Sequence, residues 1–226
     1  MTVIYTIGTG STWDNNELRY SLRSLERCKN VGEVILAGFC PEWVDRSTVR
    51  HIYIGDEYPH AHLNITHKIV EAAKAFTGDF VVMSDDHILL KAFDFDHLPL
   101  WHKGELNNVM GNSYQTSIAE TRKFLRARNM SAYATNLHFP KLYTREAFER
   151  CLPFFRIAAG YQYGLEPSVL IGNTQISMGM QYTYHADNKT NEPQPRAAFV
   201  SLMPDVAPEM AEWLQHKFPN KSHYEK

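Results

Sequence analysis

The feature that most restricts the fold of this chain is an alternation through its first 90 residues, in which short apolar runs are separated by segments of helical spacing. Thr2 to Ile7 is apolar and partly β-branched, and it ends in Gly8-Thr9-Gly10-Ser11. Residues 15–28 then carry Leu18, Leu22 and Leu25 on one stripe, with Glu17, Arg19, Arg23, Glu26 and Arg27 around them. Asp14 or Asn15 is the expected N-cap. Residues 33–39 and 49–55 read as strands, and 63–76 as a helix whose Ile65, Ile69, Ala72, Ala73 and Phe76 can face a sheet. Phe80 to Met83 is the next strand. Strand and helix alternating in short units predict an α/β layered domain with a mostly parallel central sheet and helices on both faces.

Beyond residue 100 the pattern loosens. Helices are expected over 118–128, 144–155 and 208–218, while 104–117, 129–143 and 183–206 are long irregular stretches. Loops of that length in a compact domain are commonly functional. The expectation is one domain over 1–226, with a regular half over 1–100 and a looser half over 101–226.

Composition excludes several classes. With 226 residues, 44% hydrophobic and 21% charged, the chain has a globular rather than a disordered make-up. Lys plus Arg (23) against Asp plus Glu (25) leaves −2, too little for attachment to DNA or a membrane by overall charge. Cys28, Cys40 and Cys151 are odd in number and widely spaced, which offers neither a disulfide framework nor a zinc site. The opening residues carry no basic, apolar signal, and no run approaches the ~20 apolar residues of a spanning helix. The expectation is a cytoplasmic protein without membrane insertion.

Two segments carry chemistry. The first, Gly8 to Glu17, follows a strand and precedes a helix, as a dinucleotide-binding turn does. The third glycine of that fingerprint is replaced by Trp13, too large for close helix packing, and no Gly-Lys-Ser/Thr loop occurs. A Gly/Thr/Ser loop remains at the carboxyl edge, where open α/β sheets bind ligands. The second segment is Ser84-Asp85-Asp86-His87, directly after a buried strand. Adjacent ionised carboxylates repel unless a cation, a donor or water relieves them. A capped turn would use the same residue types. Placed on one edge with the glycine loop, the pair can instead hold Mg²⁺ or Mn²⁺ and leave positions for water and substrate phosphates. Such an ion neutralises a diphosphate leaving group.

This arrangement resembles the GT-A glycosyltransferase fold, a Rossmann-like α/β domain. Leu18 to Ser24, Pro41 to Trp43, Asn64 to His67, Ser84 to His87 and His138-Phe139-Pro140 are also similar to segments of the Stealth family of sugar-phosphate transferases. The resemblance implies a nucleotide-diphosphate sugar donor bound by residues 1–100 and an acceptor bound by residues 101–226, its identity open between a glycan and a nucleic acid. It leaves glycosyl transfer and sugar-1-phosphate transfer both open. On it, Asp86 is the expected principal metal ligand, with Asp85 on the ribose or a metal-bound water. His185, or Asp187 beside it, is the expected further ligand. Thr9, Gly10 and Ser11 would contact base or ribose, and Asn64 and Lys68 lie on the same edge. Arg19 and Arg23 would grip phosphate oxygens with their planar forks. An inverting transfer needs a base for the acceptor hydroxyl, and Glu166 and His138 compete for that role.

Other classes stay in view. A nucleotide-sugar hydrolase would need the same metal–diphosphate chemistry, but also a larger cluster of ligands. A binding-only domain would account for 12% aromatic residues but not for the acidic pair. Arg122, Lys123, Arg126 and Arg128, followed by Tyr133, form a small basic patch that admits a nucleic-acid acceptor.

Overall fold

A computed structural model describes all of residues 1–226. The first half runs β1 (Thr2–Ile7), α1 (Asn16–Leu25), β2 (Val34–Gly38), β3 (Arg50–Ile52), α2 (Ala61–Ala73), β4 (Phe80–Met83) and β5 (His87–Leu89). The second runs β6 (Trp101–His102), α3 (Ser113–Arg126), β7 (Lys141–Tyr143), α4 (Arg145–Ala158), α5 (Pro167–Ser177), β8 (Thr183–Tyr184), β9 (Lys189–Thr190), β10 (Phe199–Leu202) and α6 (Pro208–Lys217). Five strands form the central sheet in the order β3-β2-β1-β4-β7. All its neighbours are parallel except β7, which closes one edge antiparallel to β4. The expected mostly parallel α/β architecture is present.

Strands β1, β2 and β4 are buried on both faces, and their two-residue period sorts side chains into two cores. Val3, Tyr5 and Ile7 of β1 join Leu36 and Met83 against Leu18, Leu22 and Leu25 of α1. Ile4, Ile35, Ala37 and Val82 point the other way, onto Ile69 and Ala72 of α2 and onto Phe148, Val169 and Leu170 from the second half. Helices therefore cover both faces. A smaller sheet, β5-β10-β9, packs beside α1 with α6.

Several expectations differ from the structure, and the stretches expected to be irregular hold the start of α3 and strands β7 to β10. The strand expected over 49–55 contracts to Arg50–Ile52 at the sheet edge. Residues 167–177, not assigned an element from the sequence, form α5. This helix is buried all round from Pro167 to Gln175, so it lacks the polar face by which helices are recognised. Asn15 is the N-cap of α1 but its side chain caps nothing; it sits in the left-handed region at φ 56°.

Strand order places the site. The chain leaves β1 toward β2 on one side and later returns to β4 on the other. That reversal opens a crevice at the carboxyl ends of β1 and β4. Their register, with Tyr5 beside Met83, brings Gly8 to Ser11 and Ser84 to Asp86 to neighbouring positions at that edge. Gly38 keeps the edge compact. At φ +118°, a Cβ there would lie 2.1 Å from the Ile7 carbonyl oxygen.

Candidate functional site

A cavity of about 300 Å³ opens at this switch point. Gly8, Gly10, Ser11 and Glu17 line it from the first strand–helix unit, Asp85 and Asp86 from the end of β4, and Lys189 and Leu202 from the small sheet. Thr9 is exposed beside it. The loop is held at both ends. Ser11 Oγ accepts the backbone N–H groups of Asn15 (2.8 Å) and Trp13 (3.2 Å), which fixes the turn ahead of α1. Thr12 Oγ1 donates to the Pro204 carbonyl at 3.0 Å. Below Gly8, buried Lys68 donates to the Ile7 carbonyl (2.9 Å) and to Asp56 (2.6 Å). Lys68 thus braces the loop without lining the cavity.

The acidic pair divides into two environments. Asp86 Oδ2 accepts from Ser201 Oγ at 2.6 Å and lies 3.6 Å from Lys189 Nζ. Burial alone would raise its carboxyl, but His87, the Ser201 hydrogen bond and Lys189 more than reverse this and hold it below the usual value. Burial also holds His87 down to about 3, so its ring is neutral at physiological pH. Ser201 and Lys189 are then what keep Asp86 ionised. Asp85 has no such partners. Burial first, then the charges of Asp86 and Glu17, push it up to about 7. Glu17, which sequence reading placed only on a helix face, turns Oε2 inward with no hydrogen-bond partner. Its signal was its position one turn after the glycine loop.

No group of three His, Cys, Asp or Glu side chains forms a ready-made metal cage. The donor set nevertheless suits a hard cation. Asp85 and Glu17 are carboxylates lining one cavity, neither paired with a Lys or Arg, and Mg²⁺ or Mn²⁺ commonly takes one or two protein carboxylates. Asp86, already neutralised by Lys189, fits the principal-ligand role less well than Asp85. His185 does not line the cavity. Its ring stacks on Trp101 at 4.0 Å and its Nδ1 bonds the Ala186 carbonyl.

Of the two expected bases, His138 is the better oriented. Its Nδ1 lies 2.8 Å from Asp187 Oδ2, and its backbone N–H donates to Oδ1 of the same carboxylate at 3.0 Å. Lys103 donates to Asp187 at 2.8 Å. Burial would raise Asp187, but the His138 and Lys103 hydrogen bonds outweigh it and hold the carboxylate far below its usual range. With Nδ1 engaged, His138 Nε2 is the ring nitrogen left for chemistry. His138 itself does not line the cavity. Glu166 is placed otherwise. Both its carboxylate oxygens accept from Ser168 Oγ (2.7 and 2.8 Å), and Oε2 also accepts from the Val169 N–H. It caps α5 and does not line the cavity.

The remaining expected residues are committed elsewhere. Arg23 forms a bidentate pair with Glu225 (2.7 and 2.9 Å) and donates to the Phe218 carbonyl. Arg19 lies 3.4 Å from Glu225 and stacks over Trp43. Both face the C-terminal segment because Leu18 and Leu22 turn the opposite stripe of α1 to the core. Asn64 exchanges two hydrogen bonds with the backbone of Tyr58, closing the loop before α2.

No protein-family profile matches the chain, and no curated protein matches it. Among solved structures, mouse xyloside xylosyltransferase 1 in its apo form is similar over 99% of this chain and 95% of its own, at 12% identity and a TM-score of 0.36. No helix is long and apolar enough to cross a membrane.

Proposed function

We propose that the cavity binds a nucleoside-diphosphate sugar together with a divalent cation, and that the protein transfers the sugar to a hydroxyl acceptor. The observation that carries this reading is that Asp85 and Glu17, neither paired with a Lys or Arg, line one cavity with a glycine loop at the switch point. Carboxylates left without a protein cation are matched by a metal ion that itself carries a diphosphate. A bound Mg²⁺ or Mn²⁺ supplies charge neutralisation to the departing diphosphate.

The chain's own residues supply the rest. Gly8 and Gly10 let the ligand approach the backbone, and the amino end of α1 favours negative charge there. Asp85 and Glu17 hold the cation, while Lys189 keeps Asp86 ionised and lies at the cavity wall. His138, oriented by Asp187, takes the acceptor's hydroxyl proton on Nε2. The acceptor oxygen forms its bond to the anomeric carbon as the bond from that carbon to the diphosphate breaks. The electron pair leaves with the diphosphate.

Calorimetry with a panel of nucleoside-diphosphate sugars, with Mn²⁺ and with EDTA, tests the reading. Binding that requires the ion is expected; equal affinity in EDTA would remove the metal. Product analysis separates the chemistry. Nucleoside diphosphate marks glycosyl transfer, whereas nucleoside monophosphate would mark the sugar-1-phosphate transfer that the Stealth resemblance implies. Rapid release of nucleoside diphosphate without any acceptor would make the protein a hydrolase.

A further inference from the structure

The two-stranded sheet of β6 and β8 presents a row of aromatic rings on the face turned from the core. His102 and Tyr184 are register partners in this parallel pair, so their side chains leave the same face. Trp101 and His185 leave the opposite face, where they stack on each other and pack on buried Phe199. On the outward face Tyr133 meets His102 with ring centres 4.5 Å apart, and His102 meets Tyr184 edge-on at 6.3 Å. Tyr184 is 69% exposed. The row is fixed from within. Buried Asn173 accepts the Tyr133 backbone N–H at 2.9 Å and donates to the Tyr133 carbonyl at 2.8 Å.

The edges of these rings are polar. His102 Nδ1 accepts the Gly104 N–H at 3.0 Å, and burial holds the ring below its usual value, so the neutral ring keeps its hydrogen on Nε2 as an unpaired donor. The Tyr133 and Tyr184 hydroxyls make no hydrogen bond within the protein, and neither is sealed from solvent. The cations that border the rings have carboxylate partners, Lys103 with Asp187 at 2.8 Å and Arg126 with Glu105 at 3.1 Å. Flat rings edged by hydroxyls and a ring N–H match a sugar, which has an apolar face and a rim of hydroxyls. Chain geometry ties the row to the site. Tyr184 precedes Asp187, which orients His138, by three residues, and it precedes Lys189 of the first cavity by five. At no more than about 3.6 Å per residue, the Tyr184 backbone lies within about 11 Å of Asp187 and about 18 Å of Lys189. A short oligosaccharide spans such a distance.

We propose that His102, Tyr133 and Tyr184 form an oligosaccharide subsite, in which one sugar lays its apolar face on the Tyr184 ring and its hydroxyls meet the two phenols and His102 Nε2. This sugar is a distal unit of the acceptor, whose reacting hydroxyl lies toward His138. The acceptor role rests on the transfer reading above; the saccharide binding does not.

Aromatic-ring NMR on the full chain, titrated separately with a panel of neutral oligosaccharides and with a single-stranded oligonucleotide, tests it. At least one oligosaccharide should shift the His102 and Tyr184 ring signals. Followed at His102, Tyr184→Ala, at an exposed strand position, should weaken that binding about 10-fold. Tyr184→Phe, which keeps the ring and loses one hydroxyl, should weaken it less than ~3-fold. Nucleoside-diphosphate affinity should stay unchanged in both variants. Ring signals that no oligosaccharide moves, or binding that Tyr184→Ala leaves intact, would overturn the proposal. So would shifts produced by the oligonucleotide alone. Oligosaccharide binding in a protein that binds no nucleotide sugar would keep this subsite and remove the transfer reading; the converse would remove the subsite alone.

Discussion

Asp85 and Asp86 are adjacent in sequence and opposite in circumstance. The difference comes from strands β9 and β10, which bring Lys189 and Ser201 to Asp86 and nothing to Asp85. Asp85 therefore binds its proton more tightly in the folded chain than in the unfolded one. Folded protein then holds the extra proton between about pH 4 and about 7, and stability falls as pH rises through that window. Other groups titrate there too, and neutral His87 acts in the opposite sense, so the contribution is isolated by substitution. Relative to wild type, Asp85→Asn should gain about 1–3 kcal/mol between pH 4 and pH 8, a value discounted for its partial exposure. Thermal unfolding of both proteins across that range measures it, and Mn²⁺ at pH 8 should stabilise the wild type more than the variant. A difference in Tm that does not change with pH would return Asp85 to the role of a solvated turn residue. Asp187 makes a second prediction at this scale. Asp187→Asn keeps the size of the side chain but can present an amide N–H to His138 Nδ1 and so favour the wrong tautomer. Turnover should fall by about 10²-fold or more with nucleotide affinity unchanged, as expected when a general base is lost. Unaltered turnover would show that His138 takes no proton.

At the level of elements, helix α5 was the one the sequence concealed. Its residues from Pro167 to Gln175 are all buried, so no polar stripe marks its period. Gly172 within it has a local reason: a Cβ there would lie 2.3 Å from Thr135 Oγ1, so α5 packs directly against that segment. Glu166 was legible as unusual, standing before Pro167 among aromatic residues, but the same position suits an N-cap followed by proline. The structure uses it that way. Glu166→Ala should therefore cost about 1 kcal/mol of stability, within the roughly 0.5–2 kcal/mol of such caps, and leave turnover at moderate temperature close to wild type. Denaturant unfolding and steady-state kinetics on the same sample separate the two roles. A loss of turnover of about 10²-fold with unchanged stability would restore Glu166 as the base. Helix α1, by contrast, was readable as an element, because its leucines at helical spacing face a sheet, although the partners of its arginines were not.

Across the whole molecule the two halves are interleaved rather than joined end to end. Strand β7 closes the central sheet, and β10 pairs with β5 beside Asp86. Phe148, Val169 and Leu170 cover the part of the sheet face beside α2. A fragment of residues 1–100 should accordingly fail to fold alone, because that part of its sheet would lie exposed. Circular dichroism and dispersed amide resonances in NMR check this; a cooperative unfolding transition in the fragment would show an autonomous first half. The same interleaving explains what could be read in advance. Periodicity alone determined the alternating α/β order, the parallel sheet and the convergence of Gly8–Ser11 with Asp85 and Asp86 on one edge, since strand order and side-chain period are local properties that add up along the chain. Only the tertiary structure decided that Glu17 turns into the cavity, that Lys189 and Ser201 neutralise Asp86, and that Arg19 and Arg23 are spent on Glu225. Each of those outcomes depends on which distant charge or hydroxyl arrives beside a side chain. That is set by how separated segments pack, and nothing in the neighbouring residues encodes it.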